Sequence, residues 1–333
     1  MILLTYGTRP EYIKIKPLID EMKSRGLKFK TLFTGQHKDI ANFGADYNFE
    51  MLELVNNRLN NVLCNCLSMS DEYFEGITYI LVQGDTTSVV GLAMTALNRQ
   101  IKVIHLEAGL RTFDVKNPFP EENNRMIVST IADIHLCPTM DNATNLWDEN
   151  ISPVKTHIVG NTVLDNLLDY KKHCKYTNKV LVTMHRRENH YWLGQWFNEI
   201  NQLSVDNPEL EFIIPLHPNP NVQKFKHLLP NVKIVEPLNH HDLMNLLTQV
   251  KMVITDSGGI QEECSFFNKK CLVCRKVTER PESVGLTSFM VESPKQLINS
   301  FNEHIINYEV NISSPYGDGY SSEKICDILE KIY

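Results

Sequence analysis

The sequence lacks the marks of several protein classes. No apolar run in its 333 residues approaches the roughly 18 residues that a membrane span needs. Met1-Ile2-Leu3-Leu4-Thr5 is apolar, but it is too short for a signal peptide and has no basic leader. A soluble, cytoplasmic protein with no membrane partner is therefore expected. There is no surplus of basic residues: the net charge is −7, whereas nucleic acid held through its phosphates calls for a basic surface. Nor is there a block of one sign, an internal repeat or a low-complexity tract. No Gly-x-Gly-x-x-Gly follows the first strand-like run, which argues against nicotinamide or flavin chemistry. Among the eight cysteines, Cys271 and Cys274 have the spacing of a metal pair, but no second Cys-x-x-Cys completes a zinc site. The pair falls in Lys-Cys-Leu-Val-Cys, which reads as a short buried strand whose residues three apart point to opposite faces. Buried reduced thiols are expected, with no metal and no cofactor.

What the sequence does contain is alternation. Short apolar runs at 2–5, 28–34, 79–83, 102–106, 156–159, 180–184, 211–215, 232–235, 251–255 and 271–274 read as strands. Segments with helical spacing lie between most of them, at 10–25, 86–99, 193–206, 240–249 and 258–267. In the first helix, Ile13, Pro17, Leu18 and Met22 suit one face. Such alternation predicts parallel sheets covered by helices on both sides, and the length fits two domains. A polar stretch at 165–179 suggests the boundary, giving an N-terminal domain 1–168 and a C-terminal domain 178–310. The tail 319–333 reads as a last amphipathic helix, with Ile325, Ile328, Leu329 and Ile332 on one face.

In open parallel sheets, ligands bind beyond the carboxyl ends of the strands. Six expected strands run into polar residues there: Gly7-Thr8-Arg9-Pro10-Glu11, Gln83-Gly84-Asp85-Thr86-Thr87, Glu107-Ala108-Gly109, His185-Arg186-Arg187-Glu188, His217-Pro218-Asn219-Pro220 and Asp256-Ser257-Gly258-Gly259. The stretch 105–125, HLEAGLRTFDVKNPFPEENNR, is the richest in chemistry. It places Glu107, Glu121 and Glu122 near Arg111 and Arg125, a composition suited to proton transfer beside an anion. Ser257-Gly258-Gly259 opens a helix whose free amides and dipole would attract phosphate. The same residues also suit an ordinary capped helix with Ser257 as the cap. Glu121 and Arg125 also fit a surface pair four residues apart, and His185 and His217 also fit satisfied buried histidines. Shared location at strand ends favours the functional reading.

These residues together resemble the non-hydrolysing UDP-N-acetylglucosamine 2-epimerase family. The resemblance runs through GTRPEYIKIKPLI at 7–19, TGQH at 34–37, QGDTTS at 83–88, HLEAGLRT at 105–112, NPFPEENNR at 117–125, GNTVLDNL at 160–167, HRREN at 185–189, LHPNPNV at 216–222, DSGGIQEE at 256–263 and TERPE at 278–282. It implies the glycosyltransferase-B architecture: two Rossmann-like domains facing a central cleft, with the last helix returning to the first domain. It implies reversible conversion of UDP-GlcNAc to UDP-ManNAc, through elimination of UDP and a 2-acetamidoglucal intermediate, in a homodimer. By position in the motifs, Asp85, Glu107, Glu121 and His185 would be catalytic. Arg9, Lys14, Ser257, Gly258, Gly259, Glu263 and Arg280 would hold the nucleotide and diphosphate, with His217 and Arg125 nearby and the uracil near Leu238 and Leu243. Glu122 reads as a solvent-side residue of the helix that Glu121 begins. Bacterial members often carry a second, activating UDP-GlcNAc site. Gln36 and Arg186 match it, but Asp39 replaces a glutamine, and the stretch 50–77, where Arg58 stands, is short. Weak or absent activation is expected. A sister 2-epimerase for a modified sugar such as UDP-L-FucNAc, a glycosyltransferase of the same fold and a non-catalytic UDP-sugar sensor are the alternatives.

Overall fold

The computed structural model describes residues 1–36 and 43–332. The chain divides into two compact units, Met1–Asn166 together with Gly319–Tyr333, and Leu167–Asp318.

In the first unit, strands β1 (Ile2–Tyr6), β2 (Phe29–Phe33), β3 (Tyr47–Asn48), β4 (Tyr79–Gln83), β5 (Lys102–Leu106), β6 (Ile134–Cys137) and β7 (Thr156–Ile158) form one sheet in the order β3-β2-β1-β4-β5-β6-β7. Every pairing between them is parallel. The helices are α1 (Arg9–Ser24), α2 (Arg58–Leu67), α3 (Thr87–Asn98), α4 (Glu121–Ile131) and α5 (Met140–Asp148). The second unit contains α6 (Leu168–Lys171), β8 (Lys179–Thr183), α7 (Leu193–Asp206), β9 (Glu211–Pro215), α8 (Pro220–Gln223), β10 (Lys233–Val235), α9 (His240–Leu247), β11 (Val250–Thr255), α10 (Gly258–Phe266), β12 (Lys270–Val273), β13 (Ser288–Met290) and α11 (Leu297–Ile306). Its sheet, also parallel throughout, runs β10-β9-β8-β11-β12-β13. The last helix, α12 (Ser321–Leu329), belongs to the first unit.

The period of two along β1 explains the layering. Ile2, Leu4 and Tyr6 enter one core with Ile15, Leu18 and Met22 of α1 and Ile325, Cys326 and Leu329 of α12. Leu3 enters the other, with Val62 and Cys66 of α2, Val89 and Ala93 of α3 and Val128 of α4. The sheet is thus buried on both faces, which is why its strands read as continuous apolar runs. In the second unit, Val180, Val182 and Met184 pack with Trp196, Phe197 and Ile200 of α7 and with Leu297 and Phe301 of α11. The buried stripe of α1 is Ile15, Leu18, Ile19 and Met22 rather than the expected set with Ile13 and Pro17. The α12 return is anchored at both ends. Asp165 accepts from the amides of Ser321 (3.0 Å) and Ser322 (2.7 Å), and Arg25 at the end of α1 reaches Asp327 at 2.6 Å.

The polar stretch expected as a boundary is not a free linker. Lys175 and Thr177 donate backbone amides to Thr248 and Gln249, and the Tyr176 hydroxyl donates to the Asn268 carbonyl at 2.7 Å. The chain crosses between the units at Asn166–Leu167, at the start of that stretch. Cys271 meets the Ser288 hydroxyl at 3.3 Å, while Cys274 lies in the α7-side core, so the two thiols do diverge. Among the described residues, no helix is long and apolar enough to cross a membrane.

Candidate active site

Both sheets have the strand order of a doubly wound fold, and each therefore has a switch point where the order reverses. In the first sheet it lies between β1 and β4; in the second, between β8 and β11. The residues that follow these four strands are Gly7–Arg9, Gly84–Thr86, Met184–Arg186 and Asp256–Gly259. Of the expected site residues, Arg9, Asp85, His185, Arg186, Ser257, Gly258 and Gly259 therefore stand at the switch point of their own sheet.

In the first unit, Glu107 follows β5 in the left-handed region at φ 65°. Its carboxylate accepts from Lys14 Nζ at 2.5 Å on both oxygens and from Gln83 Nε2. Lys14, expected on the diphosphate, is in this structure the ion-pair partner of Glu107. Asp85 is joined to Arg125, whose Nε and Nη2 reach Oδ2 at 2.8 and 2.6 Å. Asn124 Nδ2 donates to the Asp85 carbonyl at 2.8 Å, so α4 grips this residue twice. Gly84, at φ 81°, turns the chain between β4 and Asp85, and its carbonyl accepts from His105 Nε2 at 2.8 Å. Burial pushes His105 down to about 4 and its register neighbour His135 down to about 3, so both imidazoles are neutral.

Glu122 is a correction. It is buried, with 1% of its surface exposed, rather than on the solvent side. Its carboxylate accepts the amides of Thr112 (3.0 Å) and Phe113 (2.9 Å) and pairs with Arg125 Nη1 at 2.7 Å. The helix begins at Glu121, so the second residue turns inward beneath the preceding loop while the half-buried Glu121 sits at the helix mouth. Arg125 is likewise buried, not part of an exposed pair. Arg111, prominent in the sequence, is held by both oxygens of Glu149 at 2.6 Å and by Ser129.

The entrance of α1 is closed by Thr8 and Glu11 in a capping box. Glu11 is buried, takes the amides of Gly7 (2.5 Å) and Thr8 (3.1 Å), and accepts from the Thr86 hydroxyl at 2.8 Å, tying β1's loop to that of β4. Burial raises its carboxyl to about 7. Arg9, first residue of α1, is exposed. Gln36 accepts from the Ser88 amide at 3.3 Å. Asp39 lies outside the described residues, and Arg58 is exposed at the start of α2.

In the second unit, His185 stacks on His217 with ring centroids 5.2 Å apart and planes 7° from parallel. His217 Nδ1 accepts from the Asn219 amide, fixing its ring. Ser257 precedes α10, yet among the described residues its hydroxyl makes no cap hydrogen bond, so the simple capping role does not account for it. The acids Glu262 and Glu263 come after the first turn and are buried. Gly258 is closely approached: a Cβ there would lie 2.7 Å from Arg280 Nη1 and 2.8 Å from Glu279 Oε1, so these two side-chain ends would have to shift. Gly259 faces open space apart from the Ser257 hydroxyl at 3.9 Å. Arg280 is buried and paired with Glu262 (2.7 Å) and Glu279 (2.5 Å). Glu279 also takes Arg275, whose Nε reaches Glu188 at 2.6 Å, so the histidine loop and the turn at Arg280 share one ion network. Glu263 lies 3.8 Å from His240 at the start of α9, and Leu243 is on the same short helix, with Leu238 just before it. The sequence pattern placed Asp256 at a strand end without a role of its own and did not single out Arg275 or Glu279. All three are adjacent to residues it did name, but their signal is burial, which spacing in a loop does not reveal.

A family model described as UDP-N-acetylglucosamine 2-epimerase matches residues 20–330. The UDP-N-acetylglucosamine 2-epimerase of Campylobacter jejuni is 36% identical over 99% of this chain and 97% of its own length. That of Neisseria meningitidis serogroup A is 34% identical over 99% of both. A crystal structure of UDP-GlcNAc 2-epimerase from N. meningitidis bound to UDP-GlcNAc superposes with a TM-score of 0.89, at 33% identity and 99% coverage of each chain. The wall teichoic acid polymerase TagF, at 11% identity, TM-score 0.58 and coverage of 100% of this chain and 89% of its own, shares the fold alone. The two parallel α/β sheets are accordingly those of the glycosyltransferase-B architecture, and the chain belongs to the UDP-N-acetylglucosamine 2-epimerase family.

Proposed function

We propose that the chain interconverts UDP-N-acetylglucosamine and UDP-N-acetylmannosamine by inverting C2. The observation that carries this reading is that each unit has its own set at a strand-end crevice: Asp85 at the first switch point with Glu107 after the next strand, and His185 with Ser257, Gly258 and Gly259 at the second. The C2 proton of the sugar has no neighbouring carbonyl and is not acidic. Departure of UDP from C1 builds positive charge there and makes that proton removable. Elimination gives 2-acetamidoglucal and UDP; re-addition with protonation from the opposite face gives the epimer. Two faces need two proton-transfer groups, each contributing about 10²–10⁴-fold. We assign these to His185 and Glu107, with Asp85 and Glu121 as supporting carboxylates. Lys14 is suited to orient Glu107, since its Nζ lies 2.5 Å from the carboxylate.

The nucleotide and diphosphate fall to the second unit and to α1. The free amides of α10 and the dipole favour the diphosphate, helped by Arg9, Arg280 and His217. Glu263 receives the ribose, and Leu238 with Leu243 flank the uracil. We further propose a cytoplasmic homodimer in which effector activation is weak, because Asp39 stands where activated relatives carry glutamine. A sigmoidal rate curve in UDP-ManNAc, restored to full rate by traces of UDP-GlcNAc, would overturn that last point.

Incubation with UDP-GlcNAc, followed by NMR of the sugar, separates the readings. UDP-ManNAc at equilibrium with UDP-GlcNAc supports an epimerase. Free sugar plus UDP points to a hydrolase, and turnover only with an added acceptor points to a glycosyltransferase. Turnover of UDP-L-FucNAc but not of UDP-GlcNAc indicates the sister specificity.

A further inference from the structure

Asp256 has no place among the groups above, yet it organises the loop that carries His185. It follows β11, directly before Ser257, and is fully buried. Its Oδ2 accepts from the amides of His185 (3.0 Å) and Arg186 (2.8 Å) and from Asn189 Nδ2 (3.1 Å). Asn189 Nδ2 also donates to the Cys274 carbonyl at 2.9 Å, which ties the loop to the end of β12. The His185 amide also reaches the second oxygen, Oδ1, at 3.2 Å, so a carboxylate gathered by three donors is fixed in rotation and Oδ1 has a defined aim. That oxygen, Oδ1, lies 3.8 Å from His185 Nδ1.

We propose that Asp256 is a positioning residue for His185: it takes the Nδ1–H of the imidazole and leaves Nε2 as the nitrogen that exchanges a proton with the sugar. The inference rests on His185 taking part in the proton transfers of the proposed epimerisation. The tautomer of an imidazole is set by what faces each nitrogen. An Nδ1 lone pair opposite a carboxylate oxygen would be repelled, whereas an Nδ1–H is attracted, and a small closing movement makes the 3.8 Å approach a hydrogen bond. Stacking on His217 restrains the ring from turning over. In the step served, the C2–H pair becomes the C1–C2 π bond, the C1–O pair leaves with UDP, and Nε2 takes the proton.

The charges facing His185 are Asp256 from β11, Arg186 and His190 from its own loop, and His217 from the end of β9. Burial, Arg186, His217 and His190 all push its pKa below 6.5; Asp256 alone among these groups opposes them. Asp256 therefore keeps the imidazole able to hold the proton it receives. Because Asp256 also precedes the Ser257–Gly259 turn, the histidine and the phosphate-facing amides are referenced to one buried atom.

The test is ¹⁵N NMR of histidine-labelled full-length protein, with the His185 signal assigned by its loss in His185→Gln. The expected result is the Nδ1–H tautomer for His185 in the unaltered chain. In Asp256→Asn its titration midpoint falls by about one pH unit. The low-pH limb of kcat moves with it, and kcat falls about 100-fold while KM and UDP affinity change by less than about threefold. A residue that merely supported the fold would lower the active fraction and move neither the midpoint nor the limb, and that outcome overturns the proposal. Should Asp256→Asn fail to fold, an Nε2–H tautomer in the unaltered chain overturns it alone. Full activity in His185→Gln would instead remove the underlying role of His185.

Discussion

At the scale of single residues, Glu107 combines strain and charge. A non-glycine residue in the left-handed region costs on the order of 1 kcal/mol or more, and here that backbone aims a carboxylate at Lys14 and Gln83. Glu107→Gln and Asp85→Asn keep shape and remove charge. Each is expected to lower kcat by about 10²–10⁴-fold with little change in UDP affinity, measured by steady-state kinetics beside calorimetric titration. Glu122 has a different task. Glu122→Ala takes the acceptor from two amides and from Arg125 Nη1, and is expected to cost about 3 kcal/mol in urea unfolding. Three buried titratable groups give stability a pH signature. The folded-state pKa values of His105 and His135 are depressed from 6.5, so the unfolded chain binds more protons as pH falls below 6.5, and stability drops. Glu11, raised from 4.5 to about 7, acts in the opposite sense, since its contribution is lost as pH rises. For these three groups taken by themselves, two histidines against one acid make stability rise with pH by about 1.4 kcal/mol per unit between about 4.5 and 6.5. His135→Leu should cancel most of that slope when unfolding is followed across the range.

At the scale of elements, function follows where strands end and helices begin. The α10 N-terminus works only if the backbone can be approached, and Gly258 is the point of closest packing. Gly258→Ala would push against Arg280 and Glu279, and UDP affinity should fall by about tenfold, or 1.4 kcal/mol, by calorimetry. Long strands such as β4, β5 and β9 were legible because two-sided burial makes them uniformly apolar. β3, β6 and β13 have two to four residues and no readable period. Helices α2 and α5 were not foreseen: α2 buries Asn65 and exposes Leu59 and Leu67, which blurs its face. The strand-end rule brought Asp85, Glu107, His185 and Ser257 to notice. It could not say that Glu122 turns inward or that Asp256 gathers the histidine loop, because both facts depend on side chains reaching residues distant in sequence.

At the scale of the whole molecule, two doubly wound sheets divide the proposed labour: the catalytic carboxylates in the first unit, the nucleotide and the proton-transferring histidine in the second. The chain returns through α12, whose Ile325, Cys326 and Leu329 join the α1 core. Burying Ile325 and Leu329 contributes roughly 1.5–3 kcal/mol each, so removing residues 319–333 should destabilise the first unit, measured by urea unfolding. The central claim, that C2 is inverted by loss and return of its proton, is tested most directly in D2O. The chain is incubated with UDP-GlcNAc and C2 is followed by NMR. The account predicts UDP-ManNAc carrying deuterium at C2; UDP-ManNAc that retains protium at C2 would contradict it.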